Sequence, residues 1–147
     1  MEKILWVLIA FAAGAFLPIQ AGINAMLSKA GGNYLHAAMI SFIVGSLALA
    51  IYILLTKQTA SWAGIKSAPA HAWVGGLLGA FYVTVIILCF QRLGPGLTFG
   101  TVVAGQMVIS LILEHFSVFG GNPQPFNLLK LAGIALIVLG VILIKRF

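Results

Sequence analysis

Acidic side chains are nearly absent from this sequence. Glu2 and Glu114 are the only two in 147 residues, and Lys and Arg add eight charges more. An average soluble domain carries about 25% charged residues; this chain carries 7%. So few charges cannot keep a globular surface in water, which excludes a soluble enzyme. Cysteine is nearly absent too. Cys89 is alone, inside the apolar run Val85-Ile86-Ile87-Leu88-Cys89-Phe90, so no internal disulfide forms and a secreted disulfide scaffold is excluded. Clustered bases are missing: the net charge is +6, yet only Lys145 and Arg146 are neighbours. A nucleic-acid footprint needs bases gathered on one face, so no nucleic-acid partner is expected. His36, His71 and His115 stand apart, with no metal-ligand spacing and no nucleophile–base set. No metal, no cofactor and no enzymatic activity is expected. What remains is 62% hydrophobic, at a mean hydropathy of +1.15. That composition belongs to an integral membrane protein.

The charges divide the chain. Uncharged gaps run 25 residues from Lys3 to Lys29, 27 to Lys57, 8 to Lys66, 25 to Arg92, 21 to Glu114, 15 to Lys130 and 14 to Lys145. A spanning helix needs about 20 apolar residues, so four gaps suffice as they stand. The last span is completed by extending it back to Phe126, with Lys130 snorkelling from the first turns to the headgroups. A backbone in hydrocarbon must satisfy its own hydrogen bonds, and period-2 alternation is missing, so the spans are helices and not barrel strands. The sequence predicts an all-α integral membrane domain over residues 1–147, with five transmembrane helices at about 4–27, 34–56, 72–90, 96–119 and 126–144. Gly31-Gly32-Asn33, Gln91 to Pro95, and Gly120-Gly121-Asn122-Pro123-Gln124-Pro125 read as connections. The longest connection, Lys57 to Ala70, carries Trp62 as an interface anchor. The first helix resembles a signal peptide in its charged start, but its long run ends without a small-x-small cleavage site and is read as a mature span.

Five spans put the termini on opposite sides. Lys3, Lys57, Lys66 and Lys130 then share one side, and Lys29, Arg92, Lys145 and Arg146 the other, four against four. A four-helix reading would give six against two. The balanced count points to a chain that inserts either way up and pairs as an antiparallel dimer with a second copy of itself; the alternatives are that the fourth-to-fifth loop or one strong helix fixes one orientation, or that a paralogue supplies the opposite one. Such a pair is the two-chain version of an inverted repeat.

Polar residues inside the spans mark candidate function. On the fourth helix Gln106, Ser110 and Glu114 recur at i, i+4 and i+8, one face, opposite Val108, Ile109, Leu111 and Ile112. Polar groups in hydrocarbon are costly and turn to a cavity or partner. Glu114 admits two readings: a proton-binding group for coupled transport, or an edge carboxylate that ends the span or pairs with Lys130. His115 points about 100° away and binds water, backbone or headgroups, or relays a proton. On the first helix Gln20 and Asn24 form a second stripe, extended by Ser28. Pro18 beside them frees the carbonyl of Gly14, giving a kink or a broken turn. The alternative for these amides is interhelical packing, at about 0.6 kcal/mol per bond. Small residues supply close helix contacts: Gly96, Gly100 and Ala104 on the fourth helix, Gly75 and Gly79, with Gly76 and Ala80, on the third, and Gly133 and Gly140 on the fifth. Trp73, Phe81, Tyr82 and Phe90 either line a cation-accepting cavity or face lipid and core.

The stretches Gly14–Leu27 (GAFLPIQAGINAML), Ile40–Leu49 (ISFIVGSLAL), Trp73–Val83 (WVGGLLGAFYV) and Gly94–Gly120 (GPGLTFGTVVAGQMVISLILEHFSVFG) resemble the YdcZ-type inner-membrane exporters. These are a five-helix branch of the drug/metabolite transporter superfamily. The resemblance covers nearly the whole chain, and Pro18-Ile19-Gln20…Asn24 and Gly105-Gln106…Glu114-His115-Phe116 carry it most specifically. It implies a multi-pass protein of the bacterial inner membrane, equivalent to half of an inverted-repeat transporter. It also implies export of a small molecule that it does not name. The family pattern has Asp where Glu114 stands and Gly where Ser117 stands. The reading is a secondary transporter, with Glu114, Gln20, Asn24, Gln106, Ser110 and His115 as candidate substrate- or proton-binding residues. The alternative is a non-transporting scaffold or accessory subunit.

Overall fold

The computed structural model describes residues 2–120 and 122–146, the Trp62 side chain excepted. Among them are five helices long and apolar enough to cross a membrane. Helix α1 (Glu2–Gly31) is followed by α2 (Tyr34–Thr56), a short α3 (Trp62–Lys66), a 3-10 turn over Ala70–Val74 that leads into α4 (Gly75–Leu93), then α5 (Pro95–His115) and α6 (Leu128–Arg146). No strand occurs among the described residues. The Trp62 ring and Gly121, named above as an interface anchor and as part of a chain breaker, lie outside the described residues.

Cap chemistry sets the helix ends. Gly32 takes a φ of +66° after α1, a left-handed conformation that glycine adopts at little cost. Asn33 then starts α2: its Oδ1 accepts from the N–H groups of Leu35 at 2.8 Å and His36 at 3.2 Å. At the other end of α2, Lys57 sits at φ 51°, and the N–H groups of Lys57 and Gln58 bond back to Leu54 O and Ile53 O. Gly94, at φ 77° and ψ 168°, occupies a region essentially closed to other residues, and Pro95 opens α5 with its φ already set.

Three expectations need correction. The fourth span ends at His115, not near Phe119. Ser117 turns to φ 50°, and the N–H groups of Ser117 and Val118 cap Glu114 O and Leu113 O, which stops the helix. The fifth span starts at Leu128 rather than Phe126, because Asn127 Oδ1 accepts from Lys130 N at 2.7 Å as the cap. Of the two outcomes expected at Pro18, a kink or a broken turn, the broken turn does not occur: α1 runs unbroken through it. Pro18 has no N–H to offer the Gly14 carbonyl, and the helix continues on either side of it.

The chain forms two compact units, one up to Arg92 and one from Leu93 on. In the first, α1 packs on α2 around Ala37, Ala38 and Ile87, with Leu27 and Val83 against them. Glycines let aromatic rings approach. A Cβ on Gly79 would stand 3.3 Å from the Phe42 ring, and one on Gly22 would stand 3.4 Å from Phe90. In the second unit α5 packs on α6. There a Cβ on Gly100 would meet Val141 Cγ2 at 3.0 Å, and one on Gly96 would meet Ile144 at 3.4 Å. Ala104 is half-buried. At Gly75, one turn before Gly79, no side chain of this chain comes close, and a Cβ there would enter open space. Gly133 and Gly140 are equally free.

Replacing Asn33 by Ala should cost about 1 kcal/mol of stability, and Asn33→Asp almost nothing, read from thermal unfolding in detergent. Gly100→Leu should lower the melting temperature by forcing α5 from the stiff Val141. Adding Val141→Ala should recover part of the loss; no recovery would mean that the contact does not hold the pair together.

Candidate functional site

Helix α1 buries one stripe. Ala21, Asn24, Ala25 and Ser28 fall at i, i+3, i+4 and i+7 and are all buried. The stripe places two polar side chains inside the first unit, and Gln20 stands at its exposed edge. Gln91 on α4 fixes the far end, donating from Nε2 to Ala25 O at 3.3 Å.

Between α1 and α2 runs a groove of about 490 Å³. Phe16, Ile23, Ile40 and Val44 are among its apolar walls, and Gln20, Asn24 and Ser41 are its polar groups. Behind it, α1 and α4 enclose a crevice of about 10 Å³, close to the size of one water, reached by Gln20, Asn24 and Tyr82. The Tyr82 hydroxyl is buried without a hydrogen-bond partner among the described residues. Gln20 also borders a second groove of about 450 Å³ over α2, where Ser41 and Ser46 are the other polar groups. Thus the structure brings Gln20 and Asn24 together and adds Ser41 and Tyr82, neither singled out in the sequence as a partner of the amides. Ser41 has no polar neighbour one turn away on its own helix, so periodicity gives no sign of it.

In the second unit Gln106, Ser110 and Glu114 are all exposed. Glu114 is 51% exposed, and its Oε2 meets Lys130 Nζ, 29% exposed, at 3.2 Å. Lys130 occupies the first turn of α6 and Glu114 the last turn of α5, so the pair closes the hairpin at the membrane edge. Partly solvated pairs of this kind contribute about 0.2–1 kcal/mol. The loop folds back on the same point, with Gln124 N–H donating to Glu114 O at 3.2 Å. A small depression of about 170 Å³ opens beside Glu114, with Ser117 and Asn122 on its rim.

His115 turns away from Glu114. Its ring stacks on Phe126 at 4.3 Å and 20°, and Phe116 meets it edge-on at 4.9 Å. Its Nδ1 is buried without a hydrogen-bond partner among the described residues. The imidazole therefore pins the proline loop to the end of α5. Cys89 is half-buried, and no three His, Cys, Asp or Glu side chains gather among the described residues.

The chain matches a family profile described as “Putative inner membrane exporter, YdcZ” over residues 5–143. It is 28% identical to the inner membrane protein YdcZ of Escherichia coli (strain K12) over 150 aligned residues, covering 99% of this chain and 98% of that protein. No solved structure matches it. The five apolar helices and this match make it a multi-pass protein of the inner membrane, of a transporter type rather than an enzyme. The chain belongs to the YdcZ family of inner-membrane exporters.

Proposed function

We propose that this protein is a secondary-active exporter of a small molecule, its five spans acting as one transmembrane domain that pairs with a second copy in the opposite orientation. The observation that carries this reading is the exposure of Gln106 and Ser110 within a span, together with Gln20 on α1. An amide facing hydrocarbon without a partner costs on the order of several kcal/mol. A second chain laid over these faces removes that cost and turns the polar stripes into the walls of a shared path. The division of Lys and Arg, four to each side across five spans, favours insertion in both orientations. A non-transporting scaffold has no need of aligned polar groups inside its spans.

Glu114 enters this reading through its pair with Lys130. Proton uptake at Glu114 removes the negative partner and loosens the loop between α5 and α6. Coupling to a proton gradient would thus work by opening that hairpin end, and His115 would follow through its stack on Phe126.

Three experiments test these points. Copies carrying Asn24→Cys or Glu114→Cys in a Cys89→Ser background, differently tagged and expressed together, should form a disulfide-linked mixed pair. In an antiparallel pair the end of α5 in one copy reaches the depth of Asn24 in the other. A C-terminal reporter active on one side of the membrane only would overturn pairing with an inverted copy of itself. In proteoliposomes Glu114→Gln should abolish export driven by a pH gradient while changing stability by less than about 1 kcal/mol. Unchanged flux would remove proton coupling and leave transport standing.

A further inference from the structure

We infer that the α1–α2 groove takes an electrically neutral, mostly apolar molecule bearing a few hydrogen-bonding groups, and that Gln20, Asn24 and Ser41 read those groups. This rests on the export reading and names the class of its substrate.

Three observations carry it. The first is size: about 490 Å³ lies within the range of small-molecule pockets, roughly 300–1,000 Å³. The second is the chemistry of the walls. Seven of the ten lining residues are apolar, and no Lys, Arg, His, Asp or Glu is among them. The second groove that Gln20 borders has no charged wall either. An ion entering here would lose its hydration with nothing of opposite sign to receive it. A polyol or sugar would bring more hydroxyls than three side chains can satisfy.

The third observation is Asn24. It is 5% exposed and lines both the groove and the crevice behind it, which puts its amide within reach of a molecule lying in the groove. A ligand carbonyl, amide or hydroxyl there gains a hydrogen-bond partner that plain hydrocarbon does not. Asn24 and Gln20 each offer both donors and acceptors, and the Ser41 hydroxyl offers both as well. The set accepts a donor or an acceptor from the ligand with equal ease, but it does not balance a charge.

The test uses the full chain in nanodiscs and three radiolabelled probes: chloramphenicol, which is uncharged with an amide and hydroxyls, tetraphenylphosphonium as a cation, and salicylate as an anion. Chloramphenicol should bind saturably and neither ion should displace it. Ser41→Ala and Gln20→Leu should each weaken it by about tenfold, the loss expected for one hydrogen bond in a dry site. Gln20→Glu supplies the missing charge and should create tetraphenylphosphonium binding while weakening chloramphenicol. Gln20→Asn keeps the amide and serves as the folding control, retaining part of the affinity. Displacement by tetraphenylphosphonium in the wild type, or an unchanged charge preference in Gln20→Glu, would overturn the assignment. So would the absence of saturable chloramphenicol binding. Export of a charged solute by the wild type without binding of the neutral probe would remove this inference and keep the export reading. Neutral binding without flux of any solute would do the reverse.

Discussion

A peptide group in hydrocarbon finds no water to bond, so every backbone donor and acceptor must be satisfied within the membrane-spanning segment itself. The five spans obey this, and the places where they stop are the places where another bond takes over. Asn33 and Asn127 receive the free N–H groups at the starts of α2 and α6. Lys57 and Ser117, in left-handed conformations, let the following N–H groups return to the last carbonyls of α2 and α5. Inside α1, Pro18 has no N–H to offer the Gly14 carbonyl.

Once the backbone is self-contained, side chains decide what the helices do. Small residues carry the contacts, as where Phe42 lies over Gly79 and Val141 over Gly100. Large apolar residues are mostly left outward, and none of α6 is buried. Lipid can cover Leu and Ile at no loss. It cannot do the same for Gln106 or Gln20, and that asymmetry separates residues that merely face the bilayer from residues that call for a partner or a ligand.

The spans were legible in the spacing of ten charges, because hydrocarbon sorts charge to its edges more strictly than water sorts hydrophobic residues to a core. Their ends were less legible. Phe116 to Phe119 reads as a continuing apolar run, and only the left-handed turn at Ser117 shows why it is not helix. A Cβ disfavours that φ, so the turn is one that glycine would take at less cost. Lys57 to Ala70 gave no sign of α3, which is held by a Ser61 cap. In the candidate site, Gln20 and Asn24 could be paired from their four-residue spacing. Ser41 and Tyr82 could not, since they join the amides only through the crossing of α2 and α4 with α1. His115 meets Phe126 across a proline loop, a contact that no helical periodicity encodes.

Every charged side chain sits in a terminal turn of a spanning helix or in a connection, and the only ion pair among the described residues, Glu114 with Lys130, lies at an edge. The membrane potential acts on charge moved across the bilayer, at about 2.3 kcal/mol per elementary charge per 100 mV. The interiors of the spans hold no formal charge, so a shift of one helix past another moves almost none through that field, and the voltage does little work on the protein itself.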